Sequence, residues 1–474
     1  MLGEFSSSIV TLREVCRFPN EPVRVSGALQ WDVLRLWQEM KRGLGLIAGG
    51  PLDSIGLDTW GCDFALIGED GKLLENPYHY RDTRTDGVMQ RVFQRVGRDR
   101  IYARTGCQFL SINTLYQLYA ACQATPALVD AASALLMMPD LLNYWLTGHL
   151  GSEYSIASTS QLVDPRTRSW ATDLMSDLDL PERLFLPIVE PGSPLGELKR
   201  EASELHAGTP VFAPASHDTG SAFAAVTPEG GALLSSGTWS LLGAEIAAPV
   251  ISAKALESNF TNEGGVCGTT RILKNISGMW LLQSCMDAWA SAGHRFSHDE
   301  LLTAARDDSH AFESLFDPDH SLFFNPDDMP GAIGDFCRQT GQRVPADAAA
   351  CTRAILESLA FKYRVVLDSL EDVTGERYTH VRIVGGGSQN RLLNQFTADV
   401  TGRPVIAGPV EATALGNIGM QMLATGAVSS IDDVRRVIDR SFPAERFEPK
   451  ETDRWDAHRP RFLEYVESRA SVRS

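Results

Sequence analysis

The stretch Thr379–Gly408, THVRIVGGGSQNRLLNQFTADVTGRPVIAG, decides the fold class. A β-branched run ends in three glycines, an amphipathic segment follows, and a second short apolar run closes the piece. That order is strand, glycine loop, helix, strand, the alternation of an α/β protein. Gly385, Gly386 and Gly387 allow positive φ and close backbone approach. Ser388, Gln389 or Asn390 stands where a helix cap is needed. Such a loop brings backbone N–H groups near a nucleotide or an anion. Its spacing is neither G-x-G-x-x-G nor G-x-x-x-x-G-K-[ST], so the dinucleotide and Walker readings fail as motifs. The plain alternative is a tight strand-to-helix turn.

The alternation recurs upstream. TPVFAPASHDTGSAFAAV (Thr209–Val226) reads as strand then helix, and GGALLSSGTWSLLGAEI (Gly230–Ile246) as strand, small-residue turn and strand. This restart near residue 230 divides the chain into 1–229 and 230–430, with a C-terminal extension, 431–474, packing back on the domains. In the first helical stretch Leu34, Trp37 and Met40 recur at three-residue spacing and define an apolar face. DSIGLDTW and DFALIGEDGKLL read as two strands joined by a turn, with a second turn at Asp70-Gly71. Helices dominate from Asp86 to Leu186, and one of them, MPDLLNYWLTG, ends at Gly148.

The chain has 474 residues, enough for two or three domains, and a formal net charge of -17. That balance offers no electrostatic hold on a nucleic acid or an anionic membrane. It leaves room for a phosphate held locally by backbone N–H groups or a metal ion. None of the eight cysteines forms a C-x-x-C pair. Cys337 and Cys351 are the closest two, and buried free thiols are the plainer reading than a disulfide. No apolar run reaches membrane-span length and no signal pattern opens the chain, so the cytoplasm is the default location.

In ASHDTGSAF (Ala215–Phe223), His217 and Asp218 sit side by side behind an apolar run. Metal ligand, helix cap and general base are all open to such an acid. The metal pair is the weakest, since no histidine lies nearby at ligand spacing. SSGTWSLLG (Ser235–Gly243) is an ordinary hairpin or one that presents N–H and hydroxyl donors to phosphate. In GPVEATALGNIGMQML, Glu411 and Ala412 border a base pocket or, the stronger reading, small residues serve close helix packing. Lys274 and Asn275 precede a helix carrying Gln283. Asp58 and Asp63 flank Trp60 and Gly61. Carboxylates beside an aromatic face suit a polyol, and they equally suit a turn around a core tryptophan. Arg81, Asp82, Arg84, Gln108, Phe109 and Asn113 extend the polyol reading. With phosphate-friendly and polyol-friendly loops together, Asp218 becomes the carboxylate that deprotonates or orients an accepting hydroxyl in phosphoryl transfer.

Taken in order, LDTWGCDFALIG, YRDTRT, QFLSINTLYQL, MPDLLNYWLTG, ASHDTGSA, LSSGTWSLLG, TNEGG, RILKNISGMWLLQ, IVGGGSQNRLLNQFTAD and GPVEATALGNIG resemble the FGGY family of carbohydrate kinases over nearly the whole chain. The resemblance implies an α/β protein with two ribonuclease-H-like (actin/hexokinase-like ATPase) domains flanking a catalytic cleft, the N-terminal one binding sugar and the C-terminal one nucleotide. It implies ATP-dependent phosphorylation of L-rhamnulose at the 1-hydroxyl, in L-rhamnose catabolism, with ATP consumed as its Mg2+ complex. Asp218 is then the base. Gly61, His217, Asp218, Thr219 and Asn275 contact the sugar, and Thr238, Asn275, Gln283 and Gly386 the nucleotide. No residue is assigned as a metal ligand. The expected partners are the ketose and MgATP, with no nucleic acid and no membrane, in a monomer or homodimer. A kinase of L-fuculose or a xylulose is the nearest alternative. Family members open with DLG-x-[ST]-x-G-R, whereas this sequence opens Met1-Leu2-Gly3-Glu4-Phe5. The expectation from that difference is impaired turnover, with a sugar-binding regulator as the reading of a different class.

Overall fold

The computed structural model describes residues 1–48, 50–308 and 310–467. The chain forms two compact units, each gathered from three tracts. The first takes Met1–Thr227, Glu245–Ile272 and Ala412–Phe442. The second takes Pro228–Ala244, Leu273–Glu411 and the chain from Pro443 onward. The long strands Trp239–Ile246 and Thr270–Ser277 carry the chain from one unit into the other.

The second unit is built on three parallel strands, Gly231–Ser236, His380–Val384 and Val405–Ala407, in that lateral order. Nearly every residue in them is buried, as expected of parallel strands covered on both faces. The helix Arg391–Thr401 connects the last two strands. Asn390 Oδ1 accepts the Leu393 N–H at 3.0 Å and caps it, and Gly402, at φ +64°, ends it. The helix Ala348–Thr374 packs against it, with Asp347 as its N-cap and Gly375, at φ +74°, as its C-cap.

In the first unit the strand Phe64–Gly68 pairs antiparallel with Ala132–Met137. The second of these lies inside the stretch expected to be helical. A short continuous apolar run such as ALLM fits a strand or a buried helix equally, and pairing decides it. The turn at Asp70-Gly71 forms as expected, with Gly71 at φ +76°, and Gly148 ends the helix Met138–Thr147 at φ +88°. The helix Val33–Gly45 corrects a sequence expectation. Leu34 is 58 % exposed, while Val33 and Leu36 are buried and Trp37, Met40 and Leu44 pack against the core. A strict three-residue step drifts around a helix of 3.6 residues per turn, so Leu34 leaves the face that Met40 joins.

The helices Asp218–Ala224 and Ala412–Ala424 meet backbone to backbone. A Cβ at Gly416 would lie 1.8 Å from the Ser221 carbonyl oxygen. The small residues of the second helix therefore serve close packing, as the stronger sequence reading held. All eight cysteines are free thiols, Cys337 and Cys351 included. Among the described residues no helix is long and apolar enough to cross a membrane.

Candidate active site

Asp218 is the first residue of its helix, and its backbone is pinned from two directions. Its N–H donates to the Thr59 carbonyl at 2.9 Å, while the Thr59 N–H donates to Ser216. Thr413 Oγ1 donates to the Asp218 carbonyl at 3.3 Å. Oδ1 of Asp218 accepts from Thr219 N at 2.5 Å and Thr219 Oγ1 at 3.1 Å. The side chain is nonetheless 45 % exposed. One carboxylate oxygen is thus anchored while the group still reaches solvent, which is what a base acting on an incoming hydroxyl requires. The Thr59–His217 bridge also brings the Asp58–Asp63 segment, with Gly61, alongside. A Cβ at Gly61 would sit 3.1 Å from Thr159 Oγ1.

Behind this acid lies a buried polar scaffold that sequence reasoning missed. Glu153 accepts from Ser155 N, Ser155 Oγ, Ile156 N and Ser216 N, and Ser155 Oγ in turn accepts the His217 N–H. Burial pushes the Glu153 carboxyl up, and these donors oppose it. Burial and the neighbouring Glu153 push Asp140 well above the carboxylate range. On the other side of the ring, His217 Nδ1 lies 3.1 Å from Glu263 Oε2 and 3.3 Å from Arg271 Nη2. Burial alone would raise Glu263, but His217 and Arg271 outweigh it and the carboxyl ends below its ordinary range. Glu263 stands in TNEGG, and its setting among small residues after a buried Phe260 was the available signal for a buried acid.

Asp58 takes a third position in this unit. Its Oδ2 accepts Asn417 Nδ2 at 2.5 Å, and Asn417 Oδ1 is held by Gln421 Nε2 at 2.7 Å. Burial raises its pKa to about 7, against the lowering effect of Asn417. Asp63, by contrast, is committed to the core, as are most of the polar groups gathered under the polyol reading. Asp82 caps the turn at Arg84 and accepts the Leu29 N–H, Arg84 donates to Gln117 at 2.6 Å, and Asn113 donates to the Gln108 carbonyl and Gln161. The exposed salt-bridged turn expected of Asp82 and Arg84 gives way to internal hydrogen bonds: Asp82 is buried and accepts backbone N–H groups, and Arg84 donates to a glutamine.

In the second unit three loops converge on the turn Ser236–Trp239. The Met279 and Trp280 N–H groups donate to the Gly237 and Thr238 carbonyls at 3.0 and 3.1 Å. A Cβ at Gly278 would lie 2.7 Å from the Trp239 carbonyl carbon, and one at Gly387 would lie 2.0 Å from Ser236 Oγ. Gly385 adopts φ +83°. Close approach, not flexibility alone, therefore demands these glycines. Gly386 differs: it is exposed, and a Cβ there meets nothing within 4 Å among the described residues. Thr238 is exposed on its turn, Asn275 is half-buried on Thr270–Ser277, and Gln283 is exposed on the helix Trp280–Ser291, donating to Asp287 at 3.1 Å. Beneath them Lys362 joins Asp317 and Asp319 at 2.8 and 3.1 Å, and Asp319 accepts the Ser277 N–H.

Residues 24–225 match the model of the N-terminal domain of the FGGY family of carbohydrate kinases, and residues 232–425 match that of its C-terminal domain. The chain belongs to the FGGY family of carbohydrate kinases. This kinase is 44 % identical to a protein named rhamnulokinase from Bacteroides thetaiotaomicron, over 96 % of this chain and 94 % of that one. It is 42 % identical to the rhamnulokinase of Pectobacterium atrosepticum, over 98 % of this chain and 93 % of that one. Among solved structures it superposes on a xylulose kinase from Lactobacillus acidophilus with a TM-score of 0.77 at 14 % identity, covering 95 % and 92 % of the two chains. Against a glycerol kinase from Plasmodium falciparum the TM-score is 0.74 at 18 % identity, with the same coverage. These likenesses establish the two-domain α/β architecture of the sugar kinases, the actin- and hexokinase-like ATPase fold expected from the sequence. Membership also makes ATP and a divalent cation part of the chemistry of this kinase. Among the described residues no group of three or more His, Cys, Asp or Glu side chains is arranged to hold a metal ion. The open backbone at Gly386 and the glycine-lined turns beside it leave room for a nucleotide.

Proposed function

We propose that this kinase transfers the γ-phosphoryl group of ATP, as its Mg2+ complex, to the 1-hydroxyl of L-rhamnulose. The observation that carries the choice of ketose is the 42–44 % identity to proteins named rhamnulokinase across nearly the full length of both chains. The geometry that supports the reaction type is Asp218, secured through Oδ1 and the backbone yet open to solvent.

Asp218 takes the proton of the 1-hydroxyl as that oxygen bonds to the γ-phosphorus and the bond to the β-phosphate bridging oxygen breaks, releasing ADP. Gly61, His217 and Thr219 border the sugar, and Thr238, Gln283 and Gly386 border the nucleotide, with Asn275 assigned to both ligands. The cation carried by ATP supplies neutralisation of phosphate charge. The requirement for ATP supports a cytoplasmic location for the activity. The test is phosphorylation by the purified chain of L-rhamnulose, L-fuculose and D- and L-xylulose, with ATP consumption and the position of the phosphate both measured. L-rhamnulose 1-phosphate formed with the highest kcat/KM supports the assignment. Preference for another ketose redirects it, and ketose binding without turnover would mark a sugar-binding regulator.

A further inference from the structure

His217 Nδ1 faces two groups that ask opposite things of it. Glu263 Oε2, at 3.1 Å, asks for a proton on Nδ1, while Arg271 Nη2, at 3.3 Å, asks for a lone pair. Direction decides between them. A guanidinium N–H of Arg271 is aimed at Nδ1, whereas among the described residues no N–H or O–H is aimed at Glu263 Oε2. Arginine has only donors and does not deprotonate, so a nitrogen that receives its hydrogen bond carries a lone pair. The guanidinium has little freedom to turn away. Arg271 is fully buried and its Nε donates to the Gly264 carbonyl at 2.8 Å. With Nδ1 accepting, the ring proton belongs on Nε2, and Nε2 lies 3.5 Å from Asp218 Oδ1. A second proton, on Nδ1, would point at the guanidinium.

We propose that Arg271 is a positioning residue that holds His217 in its Nε2–H tautomer and so sets a hydrogen-bond donor beside the Asp218 carboxylate. Glu263 then serves as the counter-charge of Arg271, 3.2 Å from its Nη2. The consequence for recognition rests on the kinase reading above. An acceptor next to a donor complements a hydroxyl next to an oxygen that only accepts, which is the 1-hydroxy-2-keto group of an open-chain ketose. Asp218 accepts from the hydroxyl and His217 Nε2–H donates to the keto oxygen.

The tautomer is read directly on the ligand-free wild-type chain labelled with 15N-histidine, with the His217 signals assigned by loss in His217→Gln. The expected result is an unprotonated, pyridine-type Nδ1 and a protonated Nε2. A protonated Nδ1, alone or with Nε2, overturns the proposal. Glu263→Gln removes the carboxylate and leaves Arg271, so the tautomer is expected to persist, and a flip would transfer control to Glu263. In kinetics on the ketose that is turned over, His217→Gln keeps an N–H close to the position of Nε2, and His217→Leu does not. The ketose KM is expected to rise roughly 10-fold more in His217→Leu, and equal effects of the two changes defeat the donor role. The nuclear measurement needs no substrate, so it stands or falls separately from the identity of the ketose.

Discussion

The indole N–H of Trp31 donates to Oδ2 of Asp63 at 2.6 Å. The same oxygen accepts the Trp60 indole at 2.9 Å and the Tyr80 amide at 3.2 Å, while Oδ1 accepts Gln117 Nε2 at 2.8 Å. A fully buried carboxyl with four donors around it is a fastener for two tryptophans, not a sugar contact.

Burial raises the Asp63 pKa from its ordinary 3.8 to about 6, with Gln117, Trp31 and Trp60 opposing the rise. Between about pH 4 and 6 the folded chain holds a proton that the unfolded chain has released. The contribution of this group to stability therefore falls as pH rises through that window and is constant above it, by roughly 3 kcal/mol in all. Denaturant unfolding of wild type and Asp63→Asn across pH 4 to 7.5 checks this. The difference between the two should shrink with rising pH and level off near neutrality, and a flat difference would mean that Asp63 stays ionised throughout.

Asp218→Asn keeps the size of the side chain and its Oδ1 acceptor but removes the proton acceptor. Turnover is expected to fall roughly 100-fold or more while the ketose KM changes little. Steady-state kinetics with saturating ATP would show it, and a variant with near-parental kcat removes Asp218 from the role of base.

Gly416→Ala and Gly419→Ala differ by what the new methyl meets. At 416 it would stand 1.8 Å from the backbone oxygen of Ser221, whereas at 419 it meets Val434 Cγ1 at 2.3 Å, a side-chain atom. Backbone gives way only if a helix moves, so Gly416→Ala should lose about 3 kcal/mol or more and Gly419→Ala nearer 1. Equilibrium unfolding of the two variants measures the order, which is the point at issue.

Gly386→Ala adds a methyl into open space, at a residue outside the left-handed region. Its melting temperature should match wild type. If Gly386 borders the nucleotide, the KM for ATP should rise on the order of 10-fold, ~1.4 kcal/mol, with the ketose KM unmoved. An unchanged ATP KM would take Gly386 out of the nucleotide site.

Local chemistry was legible in the sequence. The capping by Asn390, the stop at Gly148 and the hairpin around Gly237 and Thr238 each follow from residues within a turn of one another. The strand at Ala132–Met137 was not legible, because an apolar run carries no period until its partner Phe64–Gly68 is known. Asp58 and Asp63 were indistinguishable as text. One finds Asn417, far away in the chain, and the other finds two indoles.

The sequence by itself determined the alternation of strand and helix, the glycine turns, and Asp218 as an acid placed at the start of a helix after a strand. Those features depend on backbone conformations that neighbouring residues set. The tertiary structure alone decided which acids face solvent and which are fastened inside, and what stands behind His217. Glu263 and Arg271 lie 46 and 54 positions beyond His217 in the sequence, yet both come within 3.3 Å of one ring nitrogen. The direction of a buried N–H is fixed by packing across such separations, and no spacing along the chain encodes it.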